Sequence, residues 1–112
     1  MRNISFMLTT QQIIDETKTV TRRMGWLNAK VGDLLQGCEK CQGLGKGGKI
    51  NKLKVIRLTS VRREPLKAIT QDEVIREGFP DMTPDEFIAF FCKSHKRCDP
   101  YGLVTVLSFE YV

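Results

Sequence analysis

The sequence predicts an α+β fold, most simply a small, mostly antiparallel β-barrel or curled sheet carrying two or three flanking helices. Three observations lead there. Segments rich in β-formers stand at both ends of the chain, and capping-box helix starts lie between them. The 112 residues, 41% of them hydrophobic, suffice for one core but not for a nucleotide-binding domain beside a separate substrate domain. Residues 1–112 are therefore read as a single domain, with a Cys/Gly-rich insertion at about 37–50.

Ile4 to Leu8 is a short apolar run that predicts a strand, and Thr9 with Gln12 three residues later predicts a capped helix through Ile13, Ile14 and Glu16. Lys18-Thr19-Val20-Thr21-Arg22 is rich in β-branched residues and predicts a second strand. On it Thr19 and Thr21 share one face, while Lys18 and Arg22 share the other. Met24, Trp26 and Leu27 add apolar bulk before Lys30-Val31-Gly32-Asp33 turns the chain into a strand beginning at Leu34 and Leu35.

A glycine-rich loop from Gly43 to Lys49 precedes the best strand in the sequence, Leu53 to Val61, which Pro65 closes. Thr70 with Glu73 predicts a short helix to about Arg76, ended by Gly78. Thr83-Pro84-Asp85-Glu86 is the clearest helix start, with Thr as N-cap, Pro at N1 and Glu at N3. It places Phe87, Phe90 and Phe91 on one face of a helix running to about Lys93. Asp99 to Gly102 is a turn, and Leu103 to Val112 is a final strand, expected to pair with the first one in the middle of the sheet.

Eighteen Lys and Arg against 13 Asp and Glu give a net charge of +5 and a pI near 9.2, a surface suited to phosphates without being that of a dedicated polyanion binder. No stretch reaches the roughly 20 apolar residues that span a bilayer, and no apolar signal segment follows the start, so a soluble cytoplasmic protein without a membrane partner is expected.

Gly43-Leu44-Gly45-Lys46-Gly47-Gly48 satisfies the dinucleotide fingerprint G-x-G-x-x-G and nearly a P-loop. However, cysteines rather than a strand precede it, a strand rather than a helix follows, and Ile50 stands where a P-loop needs Ser or Thr. The same glycines make better sense with Cys38 and Cys41 as C-x-x-C-x-G-x-G, half of a zinc knuckle. Cys92 and Cys98, with His95 between them as a further candidate, are expected to complete a structural zinc site; without one, Cys92 is a buried helix residue and the other thiols are free. Four thiolates would leave no open position for water, so such a zinc staples the fold.

Lys18, Thr19, Thr21, Arg22 and Arg23 form a dense cluster of hydroxyls and cations, suited to an anion or a nucleobase and equally to a solvated edge strand. Glu77-Gly78-Phe79 places a carboxylate at a helix C-terminus, where the macrodipole disfavours its charge.

Taken in order, the Lys18 to Arg22 segment, the Lys30 to Asp33 turn, the strand through Val55 and Ile56, and Glu77-Gly78-Phe79 before a helix with Phe87 resemble the ASCH domain of the PUA-like superfamily, over almost the whole chain. The resemblance implies a small PUA-like β-barrel whose cleft, lined by the Lys-Thr-x-Thr-Arg segment, binds RNA or nucleotides. Some members are amidohydrolases that remove the acetyl group from N4-acetylcytidine; for these it implies Thr21 as nucleophile, Lys18 as base and Glu77 as acid or orienting partner. Glu16 stands where the family commonly has Gly, and a pairing with Lys18 would keep that lysine charged.

Three functions follow. The first is a module binding RNA or a nucleotide through Lys18, Thr19, Thr21, Arg22 and Arg23, with Trp26 stacking on a base. The second is a small amidohydrolase using Lys18, Thr21 and Glu77. The third is a zinc-stapled protein-interaction domain.

Overall fold

The computed structural model of the chain describes residues 1–41, 45 and 47–112. Gly43, Leu44 and Lys46 of the glycine-rich stretch, and with them the G-x-G-x-x-G pattern and the glycine half of the zinc-knuckle pattern, lie outside the described residues. The strands are β1 (Arg2–Ser5), β2 (Val20–Arg23), β3 (Leu34–Cys38), β4 (Lys52–Pro65) and β5 (Leu103–Tyr111), and the helices are α1 (Thr10–Ile14), α2 (Gln71–Arg76) and α3 (Pro84–Ser94). No helix among the described residues is long and apolar enough to cross a membrane.

The strands form one curled half-barrel sheet in the order β1-β3-β4-β5-β2. The β1 and β3 pair is parallel, with Ile4 opposite Gly37; the other pairs are antiparallel, with Leu35 opposite Ile56, Val61 opposite Leu107, and Thr21 opposite Leu107. The first and last strands therefore do not pair, contrary to the sequence expectation. β1 forms one edge and β2 the other, while β5 lies inside between β4 and β2. Burial explains the placement: Val104 to Leu107 are all buried, and a strand covered on both faces is an interior strand.

Those two faces carry two cores. Ile4, Phe6, Ile13, Leu35, Ile56, Leu58, Leu107 and Phe109 fill one; Val20, Leu66, Ile69, Val74, Phe87, Phe91, Val104 and Val106 fill the other, beneath α2 and α3. Full burial of such side chains stabilises by about 1.5–3 kcal/mol each, so the sheet and helices are held by packing more than by local propensity.

The helix starts differ from one another. Thr83 and Glu86 form the expected reciprocal capping box, and the Thr70 hydroxyl accepts from the Glu73 N–H. Thr9 makes no side-chain cap; a 3-10 turn over Met7–Thr9 leads into α1 instead, and the Thr10 hydroxyl donates to the Phe6 carbonyl. The turn at Lys30 to Asp33 forms as expected, with the Lys30 N–H donating to the Asp33 carboxylate.

Candidate functional site

The segment leading into β2 is tied at three points. The Lys18 N–H donates to the Gln12 carbonyl at the end of α1, the Lys18 carbonyl accepts from the Tyr111 hydroxyl on β5, and the Thr19 N–H donates to the Arg76 carbonyl at the end of α2. These bonds aim the Lys18 side chain inward at the C-terminal end of α2. There Glu77 caps the helix, and Gly78 continues in the left-handed region at φ +104°. A Cβ on Gly78 would lie 2.8 Å from Gln12 Cγ, so glycine alone lets α1 close against this turn.

Lys18 Nζ donates to the Glu77 carbonyl at 2.7 Å and to its Oε1 at 2.8 Å, and both residues are only 3% exposed. Glu77 Oε2 also accepts from Arg22 at 3.3 Å. Arg22, equally buried, reaches Glu73 at 2.9 Å and Glu64 at 3.5 Å, and Arg62 closes the chain on both of these carboxylates nearer the surface. Glu77 is thus a buried, doubly paired residue at the helix end. Three cations and three carboxylates balance along this network, which runs from the interior outward. Burial pushes the Lys18 ammonium below its ordinary 10.5, against the opposing pull of Glu77. Arg22 Nε is buried without a hydrogen-bond partner among the described residues.

Arg23 lies outside that balance. Its Nε donates to the Thr21 hydroxyl at 3.1 Å and its Nη2 to the Ser5 carbonyl at 2.6 Å, so it bridges the two edge strands β2 and β1. The guanidinium also lies 5.0 Å from the Phe6 ring centroid. Burial lowers it to about 10, which leaves it charged at neutral pH.

Lys18, Thr21, Arg22, Arg23 and Glu77 all line one cavity of about 220 Å³. Its wall is aromatic, comprising Phe79, Phe87, Phe90 and Phe91, with His95 stacked on Phe91 at 4.0 Å. His95 Nδ1 donates to the Phe91 carbonyl at 2.8 Å. The cavity is a polar, cationic floor under apolar walls, the common form of a small-molecule site.

Of the residues expected at the site, the structure brings together Lys18, Thr21, Arg22, Arg23 and Glu77, and it does not bring in Thr19 or Trp26. Thr19 precedes the β2 ladder and spends its backbone groups on Arg76 and Phe109. Trp26 packs against the first core and lies under the Arg2 guanidinium, 3.7 Å from its carbon. Glu16 pairs with Lys54 at 3.0 Å on the surface and leaves Lys18 to Glu77. Sequence reading placed Phe87, Phe90 and Phe91 on one helix face and named His95 as a candidate zinc ligand, but it assigned none of them to this cavity; the i, i+3 and i, i+4 spacing of the phenylalanines was the available signal for a shared wall.

The structure does not unite the four cysteines. Cys92 and Cys98 are joined as a disulfide beside the second core, and Cys38 and Cys41 are free. Burial first, and the neighbouring Cys41, push the Cys38 thiol up to about 11. Among the described residues no three His, Cys, Asp or Glu side chains converge on a possible metal position, so the expected site of Cys38, Cys41, Cys92 and Cys98, or one with His95, does not fit this arrangement. A disulfide consumes the thiolates that would ligate the ion.

No family model matches the sequence, and no curated protein matches it. Solved structures do resemble the fold. An ASCH domain from Lactobacillus crispatus JV V101 superposes with a TM-score of 0.66 at 18% identity, over 93% of this chain and 70% of that one. Protein EF3133 from Enterococcus faecalis V583, of family DUF984, gives 0.62 at 20% identity over 94% and 67%. The hypothetical protein PH0355 gives 0.65 at 16% identity over 99% and 96%. The likeness covers nearly the whole of this chain in all three, and this chain has the fold of an ASCH domain.

Proposed function

We propose that this chain is an ASCH-domain protein of the PUA-like superfamily that binds RNA or a nucleotide by taking one nucleobase or nucleoside into the cavity over Lys18, Thr21, Arg22, Arg23 and Glu77. The observation that carries this reading is the leftover charge of Arg23, a half-buried cation that makes no salt bridge among the described residues, at the floor of an aromatic-walled cavity. Such a floor favours an electron-rich ligand, and the Phe and His rings offer stacking faces to a planar base. Thr21 and Glu77 supply the polar groups that orient a base edge, a carboxylate being suited to accept from an exocyclic amine. At about 220 Å³ the cavity suits one base or nucleoside and has no room for a duplex.

A second reading, an amidohydrolase acting on N4-acetylcytidine or a related acylated nucleoside, is favoured by the burial of Lys18 beside Glu77 in the cavity that Thr21 lines. Burial supplies the bias toward a neutral amine that a general base requires. Neutral Lys18 would take the Thr21 proton as Oγ attacks the acyl carbon. The bond from carbon to the exocyclic nitrogen then breaks, and the proton passes to the leaving amine. Water afterwards releases acetate from the threonyl ester and restores Thr21.

One experiment separates the two readings. The purified protein is titrated with cytidine by calorimetry and incubated with N4-acetylcytidine while acetate release is followed. Binding without turnover supports the module, turnover abolished by Lys18→Ala supports the hydrolase, and absence of both rejects the cavity as a nucleoside site.

A further inference from the structure

A second cavity, of about 450 Å³, adjoins the first. Ser5, Met7 and Arg23 line both cavities, so the two neighbour each other across these residues. Among the described residues the second cavity's lining contributes three cations, Arg2, Arg23 and Lys40, and no carboxylate. None of the three makes a salt bridge among the described residues.

Trp26 provides a stacking base for this cavity. It is half-buried against the first core, and the planar Arg2 guanidinium lies over it at 3.7 Å, exposing its outer face. Gly25 and Trp26 both sit in the left-handed region, at φ +75° and +54°, and the Thr105 hydroxyl donates to the Gly25 carbonyl. A bulky residue in that region is an outlier that the surroundings must hold in place, and such outliers gather at ligand sites.

We propose that this second cavity receives the phosphate and the neighbouring base of a single-stranded nucleic acid whose first base occupies the first cavity. The inference rests on the nucleobase reading of that first cavity. The linking phosphate lies at Arg23, whose Nη1 makes no hydrogen bond among the described residues while Nε and Nη2 are held by Thr21 and Ser5. The second base stacks on the outer face of Arg2 over Trp26, as bases stack on guanidinium planes and aromatic rings, and Lys40 meets the next phosphate. The occupant is therefore an oligonucleotide rather than a free nucleoside.

Trp26 is the sole tryptophan, so intrinsic fluorescence reports this subsite directly. Cytidine, the 3′-phosphorylated ribodinucleotide CpCp, which carries both the linking phosphate and the next one, and its deoxy form are titrated in parallel by calorimetry and Trp fluorescence against the full chain, Arg2→Ala and Lys40→Ala. A dinucleotide is expected to bind at least about tenfold tighter than cytidine and to quench Trp26. Both variants should weaken the dinucleotide and leave cytidine unchanged. A gain with either sugar upholds the subsite, and the form that gains identifies its source. Equal affinity for cytidine and both dinucleotides, or indifference to both variants, overturns the second subsite while the first stands. If nothing binds, the reading of the first cavity falls and this extension falls with it.

Discussion

Lys18 and Glu77, 59 residues apart in sequence, meet inside the protein through two hydrogen bonds, one to the Glu77 carboxylate and one to its backbone carbonyl. The pair joins the start of an edge strand to the end of α2, so strand, helix and cavity floor are positioned by one contact. Two such groups are retained in an interior only when each compensates the other.

Breaking the pair should therefore be costly. Lys18→Met leaves Glu77 with only Arg22, and Glu77→Gln leaves Lys18 a buried cation without its carboxylate; each should lower the unfolding free energy by about 3–5 kcal/mol. The double variant Lys18→Met/Glu77→Leu should recover a large part of that loss. Urea denaturation of the three variants gives the coupling energy directly, and strictly additive losses would show that the two residues act independently.

Gly78 sets the turn that aims Glu77 inward. Gly78→Ala puts a Cβ at φ +104° and 2.8 Å from Gln12 Cγ, and the backbone conformation alone should cost about 1–2 kcal/mol. Cytidine affinity should fall alongside stability, because the carboxylate turns with the backbone. Unchanged affinity in a destabilised variant would separate the turn from the site.

Acid stability follows from Glu73. Burial alone would raise its carboxyl, but hydrogen bonds from Arg62 and Arg22 outweigh burial and hold it below 4.5. The folded state thus releases this proton more readily than the unfolded chain. The stabilisation is fully present above 4.5 and is lost as pH falls through the lower folded value. Glu73→Gln should flatten the acid limb of a plot of unfolding free energy against pH; an unchanged limb would assign it to other carboxylates.

On the hydrolase reading, the rate of acetate release should rise with pH as Lys18 loses its proton, along a limb that burial places below 10.5. Glu77 raises the Lys18 value, so Glu77→Gln should move whatever limb survives to lower pH. Pre-steady-state rates across pH check both. A limb that stays fixed in Glu77→Gln would mean that Lys18 is not the titrating base.

Much of the fold was legible because its signals are local. The capping boxes at Thr70 and Thr83, the turn at Lys30 to Asp33, and the β-branched run closed by Pro65 each depend on residues within a few positions of one another. Thr9 was misleading for the same reason: its pattern is that of a cap, yet the chain enters α1 through a 3-10 turn held by Phe6 and Met7. Strand order was not legible, because nothing local distinguishes an edge strand at residue 2 from a central one.

Lys18, Thr21, Arg22, Arg23 and Glu77 were identifiable by residue type, and by the order in which their motifs follow one another. That α+β elements alternate along the chain, and that a cationic, hydroxyl-bearing strand precedes a helix ending in Glu-Gly-Phe, can be read from the residues alone. Which charges meet is set by the tertiary fold. It paired Lys18 with Glu77 and sent Glu16 to Lys54, joined Cys92 to Cys98, and placed Arg23, which makes no salt bridge among the described residues, between two cavities. Pairing energies of buried charges depend on distance and local dielectric, and both are fixed by strand order and helix packing rather than by separation along the chain.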